Sequence, residues 1–236
     1  MVPPRAKPNF LPAAGGWGRV GGFMPPAFVL FDLDGTLIEH LPAIHRSYAH
    51  TLPQLGLPAP TREEVKRAIG GGLEKAMRRF VREDQLADAL RIYRAHWDVT
   101  MLEGASLMPG AGELLAGLRA RGTVCAVFTN KLGESARAVC AHLGLGPWLN
   151  GVYGAKDTPW LKPELAFAEH VLGALGAKAS DTVLVGDSPY DVDAARVAGL
   201  GFAGVTTGTH TELQLRAAGA EAVYPDLTVL HRLWLG

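Results

Sequence analysis

Phe28-Val29-Leu30-Phe31-Asp32-Leu33-Asp34-Gly35-Thr36-Leu37 is the stretch that decides the fold of this chain. Four consecutive apolar residues rich in β preference, closed abruptly by two aspartates and a glycine, describe a short strand buried on both faces and then a turn. Such a strand belongs in a parallel sheet covered by helices on each side. Similar runs follow at Val124-Cys125-Ala126-Val127-Phe128, Val183-Leu184-Val185 and Phe202-Ala203-Gly204-Val205, with Ala222-Val223-Tyr224 as a short last strand. Helical stripes lie between them. Leu114, Leu115 and Leu118 mark one, ended by Gly122; a second covers about 135–143 and stops at Gly144; a third covers about 191–198 and stops at Gly199. Glycine just past the last periodic residue is the expected helix stop. The alternation predicts an α/β fold, a doubly wound, Rossmann-like parallel sheet.

One stretch breaks the alternation. Between Leu37 and Leu107 no strand is evident, only amphipathic helical pattern punctuated by Pro53, Pro58, Pro60 and Gly70-Gly71-Gly72. Residues 40–104 are therefore expected to form a small all-helical domain inserted into a core made of 24–39 and 105–236. An insertion after the first strand sits over the carboxyl edge of the sheet, where α/β sites lie, and is placed to act as a lid. The proline- and glycine-rich stretch 1–23 is expected to be a flexible extension, with Met24 as a candidate start.

Composition narrows the function classes. Lysine and arginine balance aspartate and glutamate at 23 each, so no net field draws the chain to nucleic acid or to anionic lipid. No apolar run approaches the ~20 residues of a membrane span, and no signal sequence is visible, so the expected location is the cytoplasm. Cys125 and Cys140 have neither disulfide nor zinc spacing and read as buried thiols.

The polar residues at the strand ends carry the chemistry. Asp32 and Asp34, at i and i+2, project the same way as the strand ends, and Gly35 lets the chain turn. Two adjacent carboxylates repel, and a divalent cation with oxygen ligands, such as Mg2+, relieves the repulsion. Asp187 closes the run Val183-Leu184-Val185-Gly186, with Ser188 next to it and Asp191 four residues on. A parallel sheet brings these to the same edge as Asp32. Asp191 also suits a helix N-terminus. Thr129 and Asn130 end another strand and can donate hydrogen bonds to phosphate oxygens, although both also favour turns. Lys162, before Pro163, can bring a fixed positive charge to a transferring phosphoryl group.

These four pieces, in this order, resemble the haloacid dehalogenase superfamily over about residues 27–230. The resemblance implies that Asp32 is a nucleophile and metal ligand, and that Asp34 is a general acid and base whose backbone carbonyl also binds the metal. It further implies phosphate binding by Thr129 and Asn130, a charge partner in Lys162 and completion of a magnesium site by Asp187. Asp191 and Ser188 would stand behind that site, Asp191 reaching the metal through water. Asp34 separates this chain from the dehalogenases and phosphonatases of the superfamily, which lack it. Leu37-Ile38-Glu39, Pro42-Ala43-Ile44, Gly70-Gly71-Gly72-Leu73 and Thr129-Asn130-Lys131 look most like the phosphoglycolate phosphatases of the helical-cap branch. Glu39-His40 departs from the usual Asp-Ser pair, and no second proline follows Lys162-Pro163-Glu164-Leu165.

The resemblance implies a magnesium-dependent phosphatase acting on a small phosphate ester through an aspartyl-phosphate, as a monomer or homodimer. In the inserted domain, residues 62–94 hold nine Lys/Arg against six Asp/Glu, so a substrate anion is one reading and a solvated helical face the other. Gly71, Gly72, Lys75 and Arg78 are the candidate substrate contacts there. A hexose-phosphate mutase, a pyrophosphatase or a nucleotidase would use the same acidic residues; a non-catalytic binding protein on this fold is the reading from another class.

Overall fold

The computed structural model describes residues 25–236; the readings of 1–23 and of Met24 lie outside the described residues. In chain order, strand β1 (Phe28–Phe31) is followed by β2 (Ile38–Glu39) and helices α1 (Leu41–Gln54), α2 (Arg62–Ala68), α3 (Leu73–Met77) and α4 (Leu86–Thr100). Strand β3 (Ser106–Leu107) leads to α5 (Ala111–Ala120), β4 (Val124–Leu132), α6 (Gly133–His142), β5 (Gly151–Ala155) and α7 (Leu165–Leu175). The chain ends with β6 (Thr182–Gly186), α8 (Pro189–Ala198), β7 (Gly201–Val205), α9 (Glu212–Ala217), β8 (Val223–Tyr224) and α10 (Leu227–Leu235).

Six strands form one sheet in the order β5-β4-β1-β6-β7-β8, and every neighbouring pair is parallel. The period of two along each strand divides its apolar run between two buried faces. Val29 and Phe31 join Cys125, Val127, Val183 and Val185 in the cluster covered by α5, α6 and α10. Leu30, Ala126, Phe128 and Leu184 face the other way, into the cluster formed with α7 and α8. This is why the strands read as continuous rather than alternating hydrophobic sequence. Both cysteines are free and buried, and burial pushes their thiols up to about 12, which leaves them inert at neutral pH.

β1 lies at the centre, with β4 on one side and β6 on the other. Connections run outward from β1 through β4 to β5, then from β6 through β7 to β8. The carboxyl end of β1 is thus the topological switch point, where the flanking connections diverge and leave a crevice.

The chain leaves the sheet through β2 and returns through β3, which pair antiparallel, Ile38 opposite Leu107 and Glu39 opposite Ser106. Strands of two residues show no periodicity, so the sequence offers no sign of them. Between them α1 to α4 bury a separate cluster that includes Tyr48, Leu52, Val65, Met77, Tyr93 and Trp97. Tyr93 stacks on Trp97 with ring centroids 5.8 Å apart. The indole Nε1 of Trp97 donates to Ser135 Oγ of α6 at 3.0 Å, tying the helical unit to the sheet domain beside the crevice. Among the described residues no helix is long and apolar enough to cross a membrane.

Candidate active site

Asp32 continues the ladder of β1, its backbone N–H donating to the Val185 carbonyl of β6 at 2.9 Å. That bond fixes the first carboxylate at the switch point. Gly35 then turns the chain at φ 89°, and it has a second reason to be glycine. A Cβ there would lie 2.8 Å from the Cα of Gly208 and 3.0 Å from Asp187 Oδ2. Gly208 is equally constrained, since a side chain on it would overlap the Asp187 carboxylate. The loop after β7 therefore packs backbone to backbone on the loop after β1. Thr207 Oγ1 donates to the Gly35 carbonyl at 2.7 Å to hold them together.

Asp187, at the end of β6, is buried and held from two sides. Thr36 Oγ1 donates to its Oδ1 at 3.2 Å, while the backbone N–H and Oγ1 of Thr209 donate to Oδ2 at 2.7 and 2.9 Å. Asp191, wholly buried in the first turn of α8, accepts from the backbone N–H and Oγ of Ser188 at 3.1 and 2.6 Å. It thus fills its ordinary helix-start role with Oδ2. Its Oδ1 meets Lys162 Nζ at 2.6 Å, and the same ammonium lies 2.6 Å from Asp32 Oδ1. Among the described residues Asp32 Oδ2 accepts no hydrogen bond from a side chain, so one oxygen is held and the other left free.

Asn130 behaves differently from its sequence reading. Its Oδ1 accepts from the Lys162 backbone N–H at 2.8 Å, and its Nδ2 donates to the carbonyls of Lys162 and Gly70, both at 3.1 Å. The amide is spent on positioning: it clamps the loop that carries Lys162 and joins it to the glycine loop of the helical unit. Thr129 Oγ1 accepts from the Lys131 N–H at 3.2 Å, which leaves its own proton available to an incoming oxygen.

Asp34 points elsewhere. Both its oxygens contact Lys131 Nζ, at 3.1 and 3.0 Å, and Oδ1 lies 3.2 Å from His40 Nδ1. Lys131 is itself buried, with its ammonium 4.5 Å from the centre of the Trp97 ring. His40 Nε2 contacts the Met101 carbonyl at 2.6 Å, so this ring bridges Asp34 and the end of α4.

The two aspartates consequently differ in acidity. Burial raises the Asp32 carboxyl well above its ordinary value despite the pull of Lys162, and the neighbouring Asp191 and Asp187 add to the rise. Asp187 is raised for the same first reason, with Asp191 second. Burial also acts on Asp34, but the Lys131 ammonium and the His40 ring outweigh it and hold that carboxyl well below the usual range. For Lys162, burial opposes the charge while Asp191 and Asp32 overcome it, so its ammonium is held more firmly than usual.

Asp32, Asp187 and Asp191 are all buried and can each bring a carboxylate oxygen within 4.8 Å of the others. Three carboxylates share one ammonium, which leaves two negative charges without a cation in a desolvated site. That imbalance, with an all-oxygen donor set, fits a hard divalent cation such as magnesium. The side chain of Asp34 is outside this cluster.

The site opens into a pocket of about 100 Å³ between sheet domain and helical unit. Asp32, Asp34, Thr129, Asn130, Lys131, Asp187 and Ser188 line it from the sheet. Ile44, Tyr48, Leu73, Tyr93, Arg94 and Trp97 line it from the helices. Of the four candidates in the helical unit, Gly72 reaches the lining and its neighbour Gly70 does too, whereas Gly71, Lys75 and Arg78 do not. Gly71 faces the Tyr190 hydroxyl, Lys75 Nζ sits 4.8 Å from the centre of the Tyr190 ring, and Arg78 pairs with Glu83 on the surface. Lys131, His40, Thr209, Tyr48 and Arg94 are site residues that the motifs did not single out. Lys131 directly follows a recognised pair, the one available signal; Thr209, Tyr48 and Arg94 reach the pocket only through the fold, and His40 reaches Asp34 rather than the pocket lining.

The comparisons with known proteins agree with this geometry. Residues 29–205 match the model of the haloacid dehalogenase-like hydrolases. The chain is 36% identical over 222 residues to a phosphoglycolate phosphatase of Rhodospirillum rubrum, covering 89% of this chain and 91% of that one. It is 34% identical over 201 residues to a probable phosphatase, IndB, of Dickeya dadantii, covering 83% and 87%. A crystal structure of a predicted phosphoglycolate phosphatase from Haemophilus somnus superposes with a TM-score of 0.83 at 25% identity, over 89% of this chain and 99% of that one.

Proposed function

Since this chain belongs to the haloacid dehalogenase-like hydrolase family and is a phosphatase, we propose that it hydrolyses a small phosphorylated metabolite of the phosphoglycolate type through an aspartyl-phosphate on Asp32. The observation that carries the reading is the asymmetry at Asp32, which lines the pocket with Oδ1 held by Lys162 at 2.6 Å and Oδ2 without a side-chain donor. A carboxylate steadied on one oxygen can attack with the other. Residues 40–104 act as the cap over this reaction.

In the first step Asp32 Oδ2 bonds to phosphorus as the bond from phosphorus to the ester oxygen breaks, and Asp34 delivers a proton to the departing oxygen. In the second, Asp34 takes a proton from water as that water attacks the phosphorus, which returns Asp32 as a carboxylate and releases phosphate. Lys162 and Thr129 contact the phosphoryl oxygens as negative charge develops there. Lys131 holds Asp34 ionised before substrate enters, the form needed for the second step. As the Lys131 contact passes to the phosphate, Asp34 takes up the proton that a phosphate monoanion brings with it and hands it to the departing oxygen in the first step; the proton gained in the second step leaves with the product phosphate. Asp32, Asp187 and the Asp34 backbone carbonyl would hold a magnesium ion, with Asp191 behind them, and the ion would supply neutralising charge for the phosphoryl group.

Phosphate release from a panel of esters, with magnesium and with EDTA, tests this reading. Phosphoglycolate should be turned over faster than sugar phosphates, nucleotides and pyrophosphate, and EDTA should lower the rate on the order of 100-fold or more, as expected when a metal carries several kcal/mol of charge stabilisation. Equal rates in both conditions would remove magnesium from the account. A preference for a hexose phosphate or a nucleotide would remove the substrate assignment.

A further inference from the structure

Among the described residues three buried side-chain polar atoms lack a hydrogen-bond partner: Arg46 Nε, Tyr48 Oη and Arg94 Nε. Arg46 directs its Nη2 to the carbonyls of Thr100 and Glu103, away from the pocket lining. The other two atoms belong to residues that line the pocket over Asp32. Tyr48 comes from α1 and is wholly buried; Arg94 comes from α4, one turn before Trp97. Buried polar groups are nearly always satisfied, and two unsatisfied ones converging on one cavity point to a ligand that completes them.

Charge decides what kind of ligand. Three cations line or adjoin the pocket. Lys131 is matched by Asp34 and Lys162 by Asp32 and Asp191. Among the described residues Arg94 makes no ion pair, so one guanidinium remains for the substrate. Its planar fork of N–H donors matches the two oxygens of a carboxylate, and its single charge matches one carboxylate rather than a second phosphate. The Tyr48 hydroxyl, kept neutral by burial, offers one more donor. The rest of the wall from the helical unit is largely apolar, with Ile44, Ile69, Leu73 and Ala76.

We propose that Arg94 and Tyr48 form the subsite that reads a carboxylate on the leaving group, which makes the substrate a short phosphorylated hydroxy-acid and these two residues its specificity determinants. This inference rests on the phosphatase reading above. It places recognition on α1 and α4 rather than on the basic surface of α3, where Lys75 and Arg78 already have other contacts.

The test compares kcat/KM for phosphoglycolate with that for ethyl phosphate, the same ester with a methyl group in place of the carboxylate. The ratio of the two is measured for the wild type, Arg94→Gln, Arg94→Lys and Tyr48→Phe. Arg94→Gln should lower the ratio by about 10- to 100-fold, the range for a hydrogen bond to a charged group. The loss should fall chiefly on KM for phosphoglycolate, with Arg94→Lys retaining part of the preference. Tyr48→Phe should lower the ratio by several-fold, about the worth of one neutral hydrogen bond. An unchanged ratio in Arg94→Gln, whether both rates fall together or neither does, would overturn the inference. So would a bisphosphate whose turnover alone depended on Arg94. Failure of the wild type to hydrolyse either ester with magnesium present would instead refute the phosphatase reading, and the inference with it.

Discussion

Asp32→Asn is expected to lower kcat on the order of 10⁴-fold or more, the scale of losing a nucleophile from a site whose groups act as a unit. The amide keeps the shape of the side chain and cannot attack phosphorus. Stability should move little, and the reason lies in the charge balance. Asp32 shares one ammonium with Asp191, and Asp187 adds a further buried negative charge alongside. Removing this carboxylate relieves the repulsion from Asp191 and Asp187 that now helps to hold the Asp32 carboxyl above its ordinary value. It also leaves Lys162 with a remaining partner in Asp191. Steady-state kinetics and a thermal melt read the two quantities separately. A large fall in both together would mean that Asp32 holds the fold and that its catalytic role has not been isolated.

Lys162→Met should do the opposite: a smaller kinetic loss, on the order of 10²- to 10³-fold, with a marked loss of stability. The ammonium is buried, at 4% exposure, between two carboxylates 2.6 Å away on either side. Methionine fills similar space without the charge, so Asp32 and Asp191 are left buried and unpaired. Breaking a buried pair from one side costs about 3–5 kcal/mol, enough to lower Tm by roughly 10 °C in a chain of this size. Added magnesium should recover part of the melt, because a divalent cation in the same cluster replaces the missing charge. An unchanged melting temperature would show that Lys162 does not neutralise these aspartates.

The contrast between these variants reflects what the sequence carries and what it does not. The sheet is legible because β1, β4 and β6 each carry a run of residues suited to burial on both faces, and their polar endings, acidic after β1 and β6 and Thr129-Asn130 in β4, mark one edge. β5 escapes notice because Gly-Val-Tyr-Gly-Ala carries two glycines and a single β-branched residue, so its pairing with β4 supplies what local preference lacks. α10 is capped by Asp226, whose carboxylate accepts from the Val229 N–H at 3.1 Å, and its place is fixed by packing Leu227, Leu230 and Trp234 under α5. The acidic motif residues could be assigned to one site because a parallel sheet brings strand ends together whatever the sequence distance between them.

Side-chain direction was not legible in the same way. Asn130 looks like a phosphate donor until the structure shows its amide committed to Lys162 and Gly70. His40 looks like a departure from a family pattern, and the fold gives it a contact with Asp34. The basic residues of the helical unit show the point most clearly. A count of charges favours Lys75 and Arg78, yet Arg94 is the one of these three that lines the pocket. A helix distributes its residues around an axis, and only packing decides which face meets the site.

The central claim is the covalent step on Asp32, and rapid chemical trapping during turnover tests it most directly. Phosphoglycolate and magnesium are mixed with the enzyme, the reaction is quenched with borohydride, and the peptide containing Asp32 is examined by mass spectrometry. Borohydride reduces an acyl phosphate to an alcohol and leaves a free carboxylate untouched. Reduction of the Asp32 side chain alone, dependent on substrate, is the expected result. Sustained turnover with no reduced Asp32, or reduction at another aspartate, would contradict it.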